Sequence, residues 1–267
     1  MTAFYRHVYL SPHYDDAALS CGGLIHQQTR TEELALVLTV FAAPPDSDEN
    51  LSPFARHQHE NWGAPADAVA MRQTEDQTAL ARLGADYLRL KFTDCIYRGE
   101  KKPGEWFYTS NDDLFGPVHA DDLPLVAEIA AAVTEMVPED ESVTLYAPLA
   151  VGNHVDHQLV NMAARQLQLH GYRVVFYADY PYADPFYAGR YAPGLTDTLA
   201  AYQNVDLNLE RRPLNATDLA AKIAAVQAYS SQLGVLFGSP AEAENRLTAY
   251  AIHAGQGRPA ERLWLPG

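Results

Sequence analysis

The sequence predicts an α/β protein, a Rossmann-like three-layer sandwich with helices on both faces of a mostly parallel sheet. Strand-like and helix-like segments alternate along the 267 residues, as they do where helices connect parallel strands. Residues 34–42 form an almost continuous apolar run, which is typical of a strand buried on both faces. Since no internal repeat or linker interrupts the chain, we expect a single domain over residues 1–267.

Each element follows from a local pattern. In chain order, strands are predicted at 7–10, 34–42, 87–92, 142–147 and 174–178, and helices at 16–30, 66–83, 123–137, 155–169 and 218–232. The first strand ends at Ser11-Pro12. Gly84 ends the helix at 66–83, because glycine readily adopts the left-handed backbone that follows many helices. Pro124 lies near the start of the helix at 123–137, where proline is tolerated.

Two long stretches are predicted to be irregular. Residues 43–65 are rich in Pro, Asp and Asn and are expected to form a loop, and residues 98–122 are expected to form a surface excursion. Loops of this length in compact domains often act as lids or binding loops. Trp106, Phe107 and Tyr108 in the second stretch suit either stacking on a sugar or anchoring of the loop.

The charge balance excludes some partners. The chain has 34 acidic and 19 basic residues, a net charge of −15, which would repel nucleic acid and anionic membranes. An acidic surface also serves solubility alone. No run approaches the roughly 18 apolar residues of a membrane span. With no signal sequence and only two cysteines, Cys21 and Cys95, we expect a cytoplasmic protein and leave a homo-oligomer open.

Two short motifs carry the candidate chemistry. Residues 11–16 (Ser-Pro-His-Tyr-Asp-Asp) follow the first predicted strand, and residues 152–157 (Gly-Asn-His-Val-Asp-His) follow a later one. Loops beyond the carboxyl ends of parallel strands line the ligand crevice of such sheets. The two motifs therefore have a reason to meet in one site, although about 140 residues separate them.

The motifs contain the residue types of a hydrolytic metal site. The candidates are His13, Asp15, Asp16, His154, Asp156 and His157. Catalytic zinc commonly has three protein ligands and an open position for water, and mixed histidine and carboxylate sets occur. Such a set would leave two aspartates and one histidine for proton transfer and orientation. Alternatively, each motif alone suits capping of the following helix, since aspartate is favoured at helix N-termini.

At these residues the sequence resembles the PIG-L/LmbE-like deacetylases. The resemblance rests on Pro-His-x-Asp-Asp leading to Cys21-Gly22-Gly23 and on His154-x-Asp156-His157, with support from Arg72-x-x-Glu75-Asp76 and from Asp94 with Tyr97-Arg98. It implies a Zn²⁺ hydrolase that removes an N-acetyl group from an N-acetylglucosamine-type sugar or sugar conjugate. Nitrogen and oxygen ligands also suit Fe²⁺, Mn²⁺ or Co²⁺.

The resemblance also implies roles for single residues. The implied metal ligands are His13, Asp16 and His157. The implied catalytic residues are Asp15 as general base, His154 as the residue that stabilises the oxyanion or assists the leaving amine, and Asp156 as the partner that orients a histidine. The implied substrate contacts are Arg72 and Asp94, on sugar hydroxyls.

The sequence departs from the family at three positions. Tyr14 stands where proline is common, so we expect a hydroxyl near the substrate, and Ala17 and Ala178 stand where glutamate is common. These differences leave open an amidase that cleaves a larger acyl group or a thiol conjugate. A different class is a non-catalytic carbohydrate- or metal-binding module, although such a module has no need of a base at Asp15.

Other polar clusters have simpler interpretations. His57, His59 and Glu60 suggest a second metal site, but their polar surroundings favour a solvated loop. Asp15 and Asp16 are unsuited to a metal-free glycosidase, since neighbouring aspartates cannot easily flank one bond from about 5 Å apart. Cys21 is expected to pack as a small apolar group in the first helix.

Overall fold

The structure is a computed structural model that describes residues 4–47, 50–63, 67–99, 105–187, 193–202 and 206–267. Within these residues, seven strands form one sheet in the order β3-β2-β1-β4-β5-β7-β6. They are His7–Ser11 (β1), Ala35–Thr39 (β2), Asp86–Arg89 (β3), Thr144–Pro148 (β4), Arg173–Tyr177 (β5), Leu207–Pro213 (β6) and Ala260–Pro266 (β7). Strands β1 to β5 are parallel to one another, and β7 is antiparallel to both β5 and β6.

Helices connect the strands. They are Asp16–Thr29 (α1), Pro53–Asn61 (α2), Ala68–Leu83 (α3), Asn111–Leu114 (α4), Leu125–Met136 (α5), Val155–Leu169 (α6), Leu195–Ala201 (α7), Ala216–Val226 (α8), Ser230–Leu236 (α9) and Pro240–Ala254 (α10). None of the helices described is both long and apolar enough to cross a membrane.

Both faces of the sheet are covered, as the continuous apolar strands predict. In β1, Val8 and Leu10 pack into the cluster that contains residues of α5 and α6, and Tyr9 packs into the cluster of α1, α3 and α8. Successive strand residues point to opposite faces, so these two clusters form the layers between sheet and helices. The predicted three-layer α/β fold with a mostly parallel sheet is confirmed.

The strand order places a crevice beside β1. The chain leaves β1 toward β2 on one side, and β4 pairs with β1 on the other. The order therefore reverses between β1 and β4, and ligands bind at such switch points outside the carboxyl ends of the strands. The motif at residues 11–16 follows β1, and the motif at residues 152–157 follows the neighbouring strand β4.

The largest error of the predicted elements concerns residues 43–65. They contain α2, which Ser52 caps by accepting from the Ala55 amide and which Pro53 starts. The Pro, Asp and Asn content of this segment favours a loop, whereas Ser52-Pro53 is a helix start signal, and the structure follows the start signal. Residues 48, 49 and 64–66, including the predicted first residue of the next helix, lie outside the described residues.

Residues 98–122 are more than a surface excursion. Tyr108 and Asp122 are buried, and α4 lies between them; residues 100–104 are outside the described part of the chain. The helix predicted at 218–232 is divided into α8 and α9, with Tyr229 at the start of the second helix. The antiparallel strands β6 and β7 were not predicted; β6 carries three consecutive charged residues, Glu210, Arg211 and Arg212, of which Arg211 is exposed.

Candidate active site

The first motif is shaped by its own hydrogen bonds. Ser11, the last residue of β1, donates from Oγ to the His13 carbonyl at 2.6 Å and accepts from the Ala17 amide at 3.0 Å. The His13 amide donates to Asp16 Oδ2 at 2.8 Å. Asp15 lies at the N-cap of α1, but its side chain makes no capping hydrogen bond. Capping by Asp15 therefore does not explain the motif, and its carboxylate is available to the crevice.

Three predicted metal ligands converge on one point. Asp16 Oδ2 lies 3.2 Å from His13 Nδ1 and 3.3 Å from His157 Nε2, and one ligand atom from each residue lies within 4.8 Å of the others. Ligands about 2.0–2.1 Å from a tetrahedral zinc ion are themselves about 3.3 Å apart. The donor set and its spacing thus fit a divalent metal.

Two buried carboxylates determine which ring nitrogen of His13 and of His157 faces Asp16. His157 Nδ1 lies 2.7 Å from Asp179 Oδ1, and His13 Nε2 lies 2.9 Å from Asp156 Oδ2. An ionised carboxylate only accepts, so each of these ring nitrogens carries the hydrogen. In the neutral form of each ring, the opposite nitrogen, which faces Asp16, has the free lone pair that a metal-binding histidine needs.

The same carboxylates create a site that favours positive charge. Burial alone would lower the pKa of His157, but the carboxylates of Asp16 and Asp179 outweigh it and raise this pKa to about 9. Burial would raise the pKa of Asp16, yet His157 and His13 hold it well below its usual value. The field that favours imidazolium here would equally favour a metal cation.

Asp15 lies beside this cluster and pairs with Arg72. Arg72 Nη2 donates to Asp15 Oδ1 at 3.1 Å, and both side chains are largely buried. Burial raises the pKa of Asp15, and the positive charge of Arg72 opposes that shift only in part. The guanidinium of Arg72 also lies 4.7 Å from the centre of the Trp62 ring. Its Nε atom is buried and has no hydrogen-bond partner among the described residues.

His154 is the N-cap of α6. Its Nδ1 accepts from the Asp156 amide at 3.3 Å, and because an amide can only donate, the hydrogen of a neutral ring must be on Nε2. Burial, with repulsion from His13 and His157, lowers the pKa of His154 well below its usual value. His154 is therefore suited to donate a hydrogen bond as a neutral ring.

Two predicted site residues lie outside the crevice. Asp156 is fully buried behind His13, where it also accepts from the Cys95 amide at 3.0 Å. Tyr14 differs from the expected substrate contact, because its hydroxyl donates to the Ala42 carbonyl at 2.7 Å inside the protein. Neither side chain lines the cavity described next.

A cavity of about 360 Å³ lies over the cluster. The predicted site residues that line it are His13, Asp15, Asp16, Arg72, Asp94, His154 and His157. Its other walls come from elements that the motifs did not reveal: Phe54, His57, Gln58, Asn61 and Trp62 of α2 and its end, Asn111, Leu114 and Phe115 around α4, and Gln232, Val235 and Leu236 of α9. Tyr182 completes the wall near His157, with ring centres 5.9 Å apart.

The histidines of α2 do not form a second metal cluster. His59 is buried, with Nε2 2.6 Å from the Tyr97 hydroxyl, whereas His57 is exposed and lies 3.9 Å from Glu60. Within the described ranges, the groups of residues with metal-ligand spacing all surround His13 or Asp156. The predicted solvated loop is wrong, since these residues form a helix.

Comparisons with known proteins give the same fold and chemistry. Residues 8–168 match the family described as PIG-L, GlcNAc-PI de-N-acetylase. A 2'-N-acetylparomamine deacetylase of Niallia circulans is 30% identical over 269 residues, covering 97% of this chain and 90% of that protein. The zinc-inhibited form of teicoplanin deacetylase has a TM-score of 0.79 at 29% identity, covering 97% of this chain and 98% of that one. A deacetylase–teicoplanin complex has a TM-score of 0.78 at 29% identity with the same coverage.

Proposed function

The chain belongs to the PIG-L family, as its two motifs predict, and we propose that it uses a divalent metal to remove the acetyl group from an N-acetylated amino sugar. Its relatives are deacetylases, which makes it an amide-hydrolysing enzyme. The observation that carries the proposal is the convergence of His13 Nδ1 and His157 Nε2 on Asp16 Oδ2 at a cavity that also holds Asp15.

We assign the metal to His13, Asp16 and His157, with zinc as the first candidate and Fe²⁺, Mn²⁺ or Co²⁺ as the alternatives. A metal held there supplies Lewis acidity, which polarises the amide carbonyl and makes water a nucleophile at neutral pH. Asp179 and Asp156 keep the two histidines in the required tautomer. One related structure is described as the zinc-inhibited form of teicoplanin deacetylase. The metal that supports activity in this chain is therefore to be identified by measurement.

Asp15 is the proposed general base. Arg72 occupies Oδ1, which leaves Oδ2 to take the proton from the attacking water and return it to the departing amine. The Arg72 contact also holds the carboxylate against rotation away from the cavity. Because Asp15 is next to Asp16 in the chain, a rigid turn places base and metal ligand side by side.

His154 is the proposed oxyanion donor. With Nδ1 committed to the Asp156 amide, its Nε2 hydrogen can stabilise the developing negative charge on the acetyl oxygen. A preorganised donor of this kind contributes because it needs no reorientation during the reaction. In this role His154 acts as a hydrogen-bond donor rather than as a fixed positive charge.

Arg72 and Asp94 are proposed to hold the sugar. Both line the cavity, and Asp94 is fixed because its Oδ1 accepts from the Ile96 amide at 3.2 Å. The related deacetylases named for 2'-N-acetylparomamine and teicoplanin support an N-acetylhexosamine-type substrate. We place the sugar ring in the cavity of about 360 Å³ and the remainder of the conjugate at its mouth.

The proposal is tested by product analysis on a graded set of amides. Metal-loaded protein is incubated with N-acetyl-, N-butyryl- and N-octanoyl-glucosaminides, and free amine and carboxylate are quantified. We expect equal amounts of amine and acetate, with the rate falling as the acyl chain lengthens. Preference for the octanoyl compound would instead identify an amidase for larger acyl groups, and tight binding of every sugar without product would indicate a binding module.

A further inference from the structure

Arg98 joins the candidate metal centre to the segment that forms one cavity wall. It follows the short turn Cys95–Tyr97, and its side chain is only 8% exposed. Its three guanidinium nitrogens have different partners: Nη2 lies 2.6 Å from Asp156 Oδ1, Nε donates to Asp122 Oδ2 at 2.8 Å, and Nη1 donates to the Thr93 carbonyl at 2.9 Å. One planar group thus fixes three parts of the chain.

On one side, Arg98 holds the carboxylate that orients a metal ligand. Asp156 is fully buried, and its Oδ2 is 2.9 Å from His13 Nε2. A buried carboxylate is costly without a balancing charge and fixed hydrogen bonds. Arg98 supplies the charge on Oδ1, while His13 and the Cys95 amide hold Oδ2. The direction of the His13 ring therefore depends on how Arg98 places Asp156.

On the other side, Arg98 fixes the wall formed by residues 105–122. Asp122 Oδ2 accepts from the Tyr108 hydroxyl at 2.8 Å, and that hydroxyl accepts from the His119 amide at 2.9 Å. The Arg98 guanidinium also lies 5.5 Å from the Tyr108 ring and 4.9 Å from the Phe41 ring. This segment carries the cavity residues around α4, so the wall and the His13 ring share one support.

We propose that Arg98 is a positioning residue of the metal centre, which sets the His13 ring through Asp156 and fixes the 105–122 wall through Asp122. The inference rests on the proposed function, since it requires His13 to be a metal ligand. Lysine cannot replace Arg98 fully, because one ammonium nitrogen cannot span the three directions that the planar guanidinium reaches. Partners behind metal ligands typically change metal affinity or activity by about 10–100-fold when altered.

The chain offers a matched control for the Asp122 contact. Asp218 is also fully buried and accepts from an arginine Nε, that of Arg30, at 2.8 Å. It joins α1 to α8 through Arg30 and His26 and touches neither Asp156 nor the cavity. Asp122→Asn and Asp218→Asn therefore remove the same charge from a buried carboxylate that accepts from an arginine Nε, although the Arg30 side chain is 40% exposed and that of Arg98 8%. Only Asp122 lies on the path to His13.

The test measures zinc affinity of the full chain by competition with a chromophoric chelator, without any turnover. Arg98→Met should weaken zinc binding by about 10–100-fold, with Arg98→Lys and Asp122→Asn between it and the wild type, and Asp218→Asn unchanged. The visible absorption of the Co²⁺-loaded protein should change in both Arg98 variants and in Asp122→Asn but not in Asp218→Asn, because only the first three alter the ligand geometry. Circular dichroism identifies variants that fail to fold, and the milder Arg98→Lys and Asp122→Asn then carry the test.

The outcomes separate this inference from the proposed function. Wild-type zinc affinity and an unchanged Co²⁺ spectrum in both Arg98→Met and Asp122→Asn would overturn the inference alone. Equal losses in Asp122→Asn and Asp218→Asn would also overturn it, by showing a general effect on stability. If the wild-type chain holds no stoichiometric metal, or if His157→Ala binds zinc as well as the wild type, the proposed metal site itself fails.

Discussion

Asp179 Oδ1 lies 2.7 Å from His157 Nδ1, and this contact turns the other nitrogen of the ring toward Asp16. Asp179 follows β5, whereas His157 lies in the first turn of α6, so the contact joins two neighbouring crossovers. The Val151 amide holds the second carboxylate oxygen at 3.0 Å. A residue outside both motifs thus determines the orientation of His157, the proposed metal ligand of the second motif.

Asp179→Asn is therefore expected to weaken metal binding by about tenfold or more. The amide can still accept from His157, but it removes the negative charge that makes the ring a stronger ligand. Asp184→Asn is the matched control, since Asp184 is a buried carboxylate of the same loop that accepts from the Phe186 amide instead. Isothermal titration with Zn²⁺ measures the effect. Equal affinities in the two variants would contradict the role given to Asp179.

Asp15→Asn should bind metal normally, and its turnover rate should fall by a factor of about 10²–10⁴, the usual contribution of a positioned base. The asparagine is isosteric and can still accept from Arg72, so the site should keep its shape. Steady-state kinetics should show the loss in kcat with KM little changed. Asp94→Asn is the comparison, because a residue that holds the sugar should mainly affect KM. Wild-type turnover in Asp15→Asn would refute the assignment of the base.

Gly152→Ala should destabilise the protein and displace Tyr182. Gly152 has a φ of +85°, and a Cβ there would overlap the Tyr182 ring. Gly238 has a similar φ of +80° with no atom near its missing Cβ, so Gly238→Ala reports backbone strain alone, about 1–2 kcal/mol. Chemical denaturation should show a loss about 1–3 kcal/mol larger for Gly152→Ala. Equal losses would mean that Tyr182 moves freely.

Asp76 gives a prediction about pH. Burial raises its pKa to about 6, although Arg89 and Tyr229 oppose the shift. A carboxyl with a raised folded-state pKa adds stability that is present at low pH and is lost as the pH rises through about 6. The free energy of unfolding of the wild type minus that of Asp76→Asn should therefore fall by about 2 kcal/mol from pH 4 to pH 7. A difference independent of pH would show that the Asp76 pKa is ordinary.

Local sequence patterns predicted the strands and helices that depend mainly on nearby residues. The strand before His13 and the helix after His154 follow from apolar runs and motif positions, and parallel strands must present their carboxyl ends at one edge. The meeting of the two motifs follows from that rule. The catalytic and ligand roles of these residues stay predictions.

The features of the site that were not predicted depend mainly on contacts between residues that are distant in the sequence. Nothing near Tyr14 shows that its hydroxyl would find the Ala42 carbonyl, so a residue inside the motif was expected in the cavity. The position of Arg98 between Asp122 and Asp156 likewise requires the packed structure. The α2 wall was predictable in principle, since Ser52-Pro53 is a helix start signal that the polar composition of residues 43–65 obscured.

The most direct test of the central claim is the release of acetate from an N-acetylglucosaminide by the same protein before and after removal of its metal. We predict release by the protein as loaded, none after exhaustive chelation, and recovery on adding about one equivalent of a divalent ion per chain. Acetate release that persists at the full rate in metal-free protein would contradict the account. So would the absence of release from every N-acetylated hexosaminide by protein that holds one metal ion per chain.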